Sequence, residues 1–290
     1  MAIHWFPGHM ATSKREIRAA LPQVDLVIEV LDARIPASSE NPLMASLRGE
    51  KPTVLILNKS DLADPAVTDA WLAASNARPG VRALALSLVA QHHRRPQFAR
   101  ELIDLAHQLV APSRVASRPM VAMIVGIPNV GKSTLINTLA GRTIAATGNK
   151  PGVTRLQQRV RVGSDLELLD TPGLLWPKLD PPARGYRLAL TGAVTDRVVE
   201  YQDLAEFLAR FLLARYPDGL RARYGLDPLP DSPEALMEAI GRRRGFLVKG
   251  GGIDPQRTAE RLVHDLQDGA LGRISLDPPP SPPSPSPASP

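Results

Sequence analysis

Residues 126–133 read Gly-Ile-Pro-Asn-Val-Gly-Lys-Ser, a match to G-x-x-x-x-G-K-[ST]. The apolar run Val121–Val125 precedes this octapeptide, and a helical pattern over Lys132–Ala140 follows it. Strand, glycine-rich loop and helix in that order constrain the fold more than any other stretch of the chain. Such a loop lets backbone amides wrap around an anion, and the helix N-terminus adds its positive field. Val130 and Gly131 within it, and Thr134 just after it, are placed to line a polyphosphate. Lys132 supplies charge to the β- and γ-phosphates, and Ser133 offers a hydroxyl to Mg²⁺. The expected fold is α/β.

The rest of the first 180 residues agrees with that class. Expected strands are Leu26–Leu31, Thr53–Leu57, Ala83–Leu86, Val121–Val125, Gln158–Val162 and Leu166–Leu169. Helical patterns lie between them at Thr12–Leu21, Pro65–Ala74, Phe98–Leu109 and Lys132–Ala140. Several strands are continuous apolar runs, which suits burial on both faces. Strand and helix in alternation predict a mostly parallel sheet covered on both sides. After Asp180 the pattern changes. Leu204, Phe207, Leu208, Phe211 and Leu212 share one helical face. Ser232-Pro233 and Asp254-Pro255 each read as an N-cap followed by proline at the first helical position. Ala259, Leu262, Val263 and Leu266 continue the second of these helices, and Gly269 can close it. The expected division is a sheet domain over 1–180, a small all-helical domain over 181–275 and a disordered Pro/Ser tail over 276–290. The stretch Pro177–Pro182 would join the first two.

Further motifs sit at strand ends. Asn58-Lys59-Ser60-Asp61 follows Thr53–Leu57 and fits N-K-x-D. Its Asp61 carboxylate can accept hydrogen bonds from guanine N1–H and the 2-amino group. Adenine lacks that donor pair and would leave the carboxylate unsatisfied. Asn58 would fix the loop, and the Lys59 stem would lie along the base. Ser87, after Ala83–Leu86, is placed to offer its amide to guanine O6. The pair there reads Ser87-Leu88 rather than Ser-Ala, and a plain strand end is the other reading. Asp170-Thr171-Pro172-Gly173 follows Leu166–Leu169. Asp170 can hold Mg²⁺ through water, and the Gly173 amide can meet a γ-phosphate. Thr154, in Pro151-Gly152-Val153-Thr154, can reach Mg²⁺ when a γ-phosphate is present, or mark an ordinary turn. These elements of a GTPase are here in an unusual order, with the guanine reader ahead of the phosphate loop. A circular permutation gives the same sheet, because domain termini lie at the surface and close together.

With these residues in view, the sequence resembles the circularly permuted GTPases of the ribosome biogenesis GTPase A (YlqF-type) family over about residues 3 to 275. The marks are Trp5-Phe6-Pro7-Gly8-His9-Met10, Asp32-Ala33-Arg34-Ile35-Pro36, Asn58–Asp61, Gly126–Ser133, Gly148–Thr154 and Asp170–Gly173. The resemblance implies a GTPase domain, a helical C-terminal domain that meets ribosomal RNA, and work in late assembly of the large ribosomal subunit. The expected activity is Mg²⁺-assisted hydrolysis of GTP to GDP and phosphate, slow until the ribosomal partner stimulates it. The alternative is a GTPase acting in tRNA modification or another RNA-linked process. A nucleotide-independent RNA scaffold conflicts with the intact Lys132, Ser133, Asp170 and Asp61.

The position that carries a water-orienting Gln in Ras-like enzymes is Leu174 here, which cannot orient water. Two residues compete to replace it. Asn129, by similarity to GTPases with Asn at this position, either holds a potassium ion beside the phosphates or braces the loop. His9, to which the resemblance points, can orient or deprotonate water near neutral pH, or be structural. The expected catalytic set is therefore His9, Lys132 and Thr154. The loop at Asp170–Gly173 runs through Leu174–Pro182 straight into the helical region, so nucleotide state can bias its orientation.

Charge and composition narrow the partners. Formal net charge is +6, with 22 Lys/Arg against 15 Asp/Glu over residues 1–184 and 13 against 13 over 185–275. A basic balance favours polyanions, nucleic acid first, although solubility alone accounts for it too. His92-His93-Arg94-Arg95, Arg155/Arg159/Arg161 and Arg242-Arg243-Arg244 are RNA contacts or solvated faces. DNA is not expected. There is no cysteine, which excludes a disulfide framework, a thiolate zinc site and a cysteine nucleophile. No apolar run reaches about 18 residues, and no secretory signal opens the chain, so a cytoplasmic location without membrane contact is expected.

Overall fold

The computed structural model describes residues 15–115, 118–143, 159–171, 181–194 and 200–280, apart from the side chains of His92, His93 and Arg114. His4, His9, Thr154, Arg155, Gly173, Leu174 and the 177–180 connection lie outside the described residues. Six strands form one sheet: β1 Leu26–Asp32, β2 Thr53–Asn58, β3 Val81–Leu86, β4 Met120–Val125, β5 Arg159–Val162 and β6 Leu166–Asp170. Their order is β3-β2-β1-β4-β6-β5. Every neighbouring pair is parallel except β5 with β6. All residues of β1, β2 and β4 are buried, as continuous apolar runs in a covered parallel sheet should be. At the sheet edge, β5 alternates exposed Arg159 and Arg161 with buried Val160 and Val162.

Strand order reverses between β1 and β4. From β1 the chain winds outward to β2 and β3, and from β4 to β6 in the other direction. Ligands of such sheets bind beyond the carboxyl ends of the strands at the point of reversal. Register aligns those ends: Asp32 pairs with Asn58, Asn58 with Leu86, and Ile124 with Asp170. Every motif found at a strand end therefore lies along one edge.

Among the helices are α1 Pro65–Asn76, α2 Arg95–Leu109, α3 Lys132–Ala140 and α4 Pro182–Leu190. After them come α5 Tyr201–Arg215, α6 Pro217–Tyr224, α7 Pro233–Arg244 and α8 Pro255–Gln267. Both expected caps form. Ser232 Oγ accepts from Ala235 N at 3.1 Å, and Asp254 Oδ1 from Arg257 N at 3.0 Å, each ahead of an N-terminal proline. Gly269 follows α8 with φ of 72°, a left-handed turn that glycine adopts without strain. Leu204, Leu208 and Leu212 of α5 pack with Leu236 and Ile240 of α7 and Leu262 and Leu266 of α8. The same apolar cluster continues through Leu188 and Leu190 to Phe98, Leu102, Leu135 and one face of the sheet. Ile17, Leu21 and Met44 cover Val27, Val121 and Val125 on the opposite face.

The expected start of the tail, at residue 276, is corrected. Leu276 and Asp277 are buried, and the Trp71 indole N–H donates to the Pro278 carbonyl at 3.1 Å. Asp277 accepts from Ser38 N and Ser38 Oγ, both at 2.7 Å, and from Arg187 Nη1 at 3.1 Å. Ile274 and Leu276 supply apolar surface just ahead of the proline run, so packing persists to this point.

Candidate active site

The loop between β4 and α3 is shaped by backbone freedom. Gly126 has φ of 152°, Asn129 57° and Gly131 112°. A Cβ at Gly126 would collide with the Val30 carbonyl, and one at Gly131 with the Asn58 amide nitrogen. Glycine at both positions thus follows from close approach of neighbouring strands as well as from dihedral angle. Gly131 is the N-cap of α3, so the amides that open the helix, those of Lys132, Ser133 and Thr134, lie at the turn.

Lys132 is buried, and its ammonium donates to the Ile127 carbonyl of its own loop at 2.8 Å. Burial pushes its pKa down to about 8, and the nearby Asp170 opposes the shift. Asp170 ends β6 at 2% exposure. Its Oδ1 is buried with no hydrogen-bond partner among the described residues. Burial raises its pKa, against Lys132 and the Thr171 amide. An unpartnered carboxylate oxygen this deep fits a cation, and the hydroxyl of Ser133 stands on the adjoining helix turn. These residues would suit Mg²⁺, with Asp170 and Ser133 as the side chains that would hold it. Thr171 Oγ1 donates to the Ile124 carbonyl at 2.7 Å and pins the start of the following loop.

Asn58 joins three loops. Its Nδ2 donates to the Val130 carbonyl at 2.7 Å, and its Oδ1 accepts from Leu88 N at 3.0 Å. One buried amide thereby ties the end of β2 to the phosphate loop and to the Ser87-Leu88 turn. The amide that meets Asn58 is that of Leu88, one residue beyond Ser87. Asp61 is exposed at the mouth of its turn, with its carboxylate open to a ligand. Lys59 adopts φ of 61°, and its ammonium lies 3.0 Å from Asp32 Oδ2. The structure brings Asn58, Lys59, Asp61 and Ser87 together with the phosphate loop and Asp170 along one sheet edge.

Asp32 organises the centre of that edge. Its Oδ1 accepts from Arg34 N and Nε, both at 3.0 Å, and its Oδ2 from Arg34 Nη2 at 2.8 Å. Burial alone would raise its pKa, but Arg34 and Lys59 outweigh burial and hold the carboxyl well below the usual range. The sequence placed no role on this pair. An acid at a strand end with an arginine two residues on was the available signal. Sequence reasoning also missed that Asn129 Nδ2 donates to the Gly192 carbonyl, 2.8 Å away, in the turn after α4.

The basic runs are partly engaged within the molecule. Arg159 pairs with Glu167 at 2.9 Å, Arg242 with Glu238 at 2.6 Å, and Arg244 reaches Asp265 at 4.0 Å. Arg94 lies 3.8 Å from Glu101. The exposed pairs of Arg94, Arg159 and Arg242 are weak and leave those arginines able to meet another anion, whereas Arg244 reaches a buried carboxylate.

Among the described residues no helix is long and apolar enough to cross a membrane. Comparison with known proteins agrees with the geometry. Residues 121–212 match the family described as 50S ribosome-binding GTPase. Ribosome biogenesis GTPase A of Priestia megaterium is 44% identical over 282 residues, covering 96% of this chain and 98% of that protein. Mitochondrial ribosome-associated GTPase 1 of Mus musculus is 32% identical over 292 residues, covering 94% and 89%. The GNP-bound crystal structure of YlqF from T. maritima superposes with a TM-score of 0.63 at 27% identity, covering 92% of this chain and 98% of that one. A GDP-bound YlqF gives 0.64 at the same identity, covering 91% and 99%. The chain belongs to the ribosome biogenesis GTPase A family, circularly permuted GTPases that hydrolyse GTP to GDP and phosphate.

Proposed function

We propose that this GTPase is a switch that binds the maturing large ribosomal subunit and its RNA, assists a late assembly step in the cytoplasm, and leaves after hydrolysis. The observation that carries the reading is the Asn129–Gly192 hydrogen bond, which joins the phosphate loop to the turn after α4, the first helix of the helical region. The names of the relatives supply the ribosomal context. Exposed arginines such as Arg242, Arg243 and Arg257 on α7 and α8 support an RNA-facing role for that region.

In this reading Asp61 reads the base, Asn58 and the Ser87-Leu88 turn frame it, and Lys59 lies along it. Lys132 leaves the Ile127 carbonyl for the β- and γ-phosphates. Val130, Gly131, Ser133 and Thr134 line them, and Gly173 meets the γ-phosphate. Ser133, Asp170 and Thr154 would hold Mg²⁺, which when bound offsets charge on the phosphate oxygens. Water is oriented by His9, with Asn129 Oδ1 as a ligand for K⁺ beside the phosphates. Leu174 supplies no polar group, so hydrolysis stays slow until the partner stimulates it.

The test is sedimentation with large ribosomal subunits at two salt concentrations, with GDP, a non-hydrolysable GTP analogue or no nucleotide. Tight binding with the analogue and weak binding with GDP are expected, a difference of about 1–3 kcal/mol. Lys/Arg contacts predict a steep loss with salt. Equal binding in all three nucleotide states would refute the switch.

A further inference from the structure

The turn that carries Asp61 is gripped from outside by residues 273–276. Arg273 Nε donates to the Ala63 carbonyl at 2.8 Å and its Nη2 to the Ser60 carbonyl at 2.9 Å. One planar guanidinium thus bridges the residues on either side of Asp61. Ile274 N donates to the Leu62 carbonyl at 2.9 Å, and Asp64 N donates to Ser275 Oγ at 3.1 Å. Leu276 N donates to the Arg34 carbonyl at 2.7 Å, beside the Asp32 cluster that holds Lys59. Tyr216, between α5 and α6, donates from its hydroxyl to Asp64 Oδ2 at 3.0 Å. Gly269 leaves room for Leu62, whose side chain a Cβ there would meet at 2.7 Å.

Backbone polar groups of a turn need partners. The carbonyls of Ser60, Leu62 and Ala63 and the amide of Asp64 find theirs on a strap more than 200 residues away in sequence. On the inner side the turn is held by Ser60 N to the Leu86 carbonyl at 3.2 Å and by Asn58. Within the turn, Leu62 N donates to the Lys59 carbonyl at 3.0 Å and Ala63 N to the Ser60 carbonyl at 3.4 Å. The exposed Asp61 carboxylate takes its position from the turn so held, because no described bond holds the carboxylate itself.

We propose that the strap at residues 273–277 sets guanine selectivity, with Arg273 as the positioning residue for Asp61. The inference rests on Asp61 as the base reader. Guanine presents two donors to one carboxylate, so a small rotation of the turn loses the second bond before the first. The strap also continues directly from α8, so whatever displaces the helical region relaxes the grip on the base.

The experiment measures dissociation constants of full-length protein for GDP and for inosine diphosphate, which lacks the 2-amino group. Arg273→Ala is expected to weaken GDP about tenfold, the range for exposed charge-assisted bonds, and inosine diphosphate much less. The GDP preference should therefore collapse, and Arg273→Lys, with one cationic head, should recover part of it. Ser275→Ala, which frees only the Asp64 amide, should give a smaller change in the same direction and serves if Arg273→Ala does not fold. Equal weakening of both nucleotides, or no change, would overturn the proposal and leave the strap a structural staple. Asp61→Asn separates the two readings. If it abolishes the preference while the strap variants do not, only the strap proposal falls. If it leaves the preference intact, base reading by Asp61 falls, and the strap proposal with it.

Discussion

Replacing Asn58 by alanine tests whether the three loops act as one site. The side chain is 5% exposed and makes one bond as donor, to the Val130 carbonyl, and one as acceptor, from Leu88 N. Both partners are main-chain groups that lose their bond when Asn58 is truncated. An unpaired buried group costs about 1–3 kcal/mol, so the pair predicts a loss of about 2–6 kcal/mol in stability. That is a large share of a typical total of about 5–15 kcal/mol. GDP affinity should fall at least about tenfold, because the base-reading turn and the phosphate loop lose their common brace. Asn58→Asp should be no better than alanine. Its carboxylate can still accept from Leu88 N, but it sets oxygen against the Val130 carbonyl oxygen. The assay is urea unfolding of each variant with and without saturating GDP, alongside direct GDP binding. A loss below about 0.5 kcal/mol, or GDP binding within about twofold of the parent, would show that the loops hold their places without Asn58.

Two further outcomes follow from buried titratable groups. Burial holds Lys132 at about 8 in the free protein, and phosphates favour its charged form. GDP binding at pH 8.5 should therefore take up a proton, read by titration calorimetry in buffers of different ionisation enthalpy; a buffer-independent heat would contradict this. Burial, then the Glu40 charge, push Glu29 up to about 7, while Arg48, Arg78 and the Asn41 backbone pull the other way. A pKa raised in the folded state gives stability that is full below the unfolded value and lost as pH rises through about 7. From pH 5 to 8 this group should cost up to about 3 kcal/mol, and Glu29→Gln should flatten the slope in chemical unfolding. An unchanged slope in that variant would rule Glu29 out as its source.

Much of the site was legible because its chemistry is local. Gly126, Gly131 and Lys132 stand at fixed spacing after an apolar run, and Asn58–Asp61 and Asp170 stand at strand ends. Strand ends were less legible. β3 begins at Val81, two residues ahead of the expected start, because Arg82 projects from an edge strand while Val81 is buried. The strap was not legible. Asp277 meets Ser38 across 239 residues, and no short-range pattern encodes such a contact. The proline run drew the boundary of the tail too early, although Ile274 and Leu276 alternate as a packed extended segment would. The role of Asp32 was hidden for the same reason, since only the folded sheet sets Lys59 beside it.

Permutation places the base-reading strands β1–β3 ahead of the phosphate strands β4–β6, so chain order alone does not hold the two halves of the site in register. Four β1–β4 pairs, from Leu26 with Ala122 to Glu29 with Val125, align the sheet below the edge. At the edge itself Asn58 fixes the Val130 carbonyl of the phosphate loop across 72 residues. The turn after β2 and the loop after β4 are consequently tied through one side chain. The outer face of that base turn belongs to the strap, and the phosphate loop reaches the same helical region through Asn129. Base and phosphate ends of the site each touch the C-terminal region by a direct bond, 2.9 Å at Arg273 Nη2 and 2.8 Å at Asn129 Nδ2. On the proposed reading, a partner that shifted the helical region would act on both ends together through these two bonds.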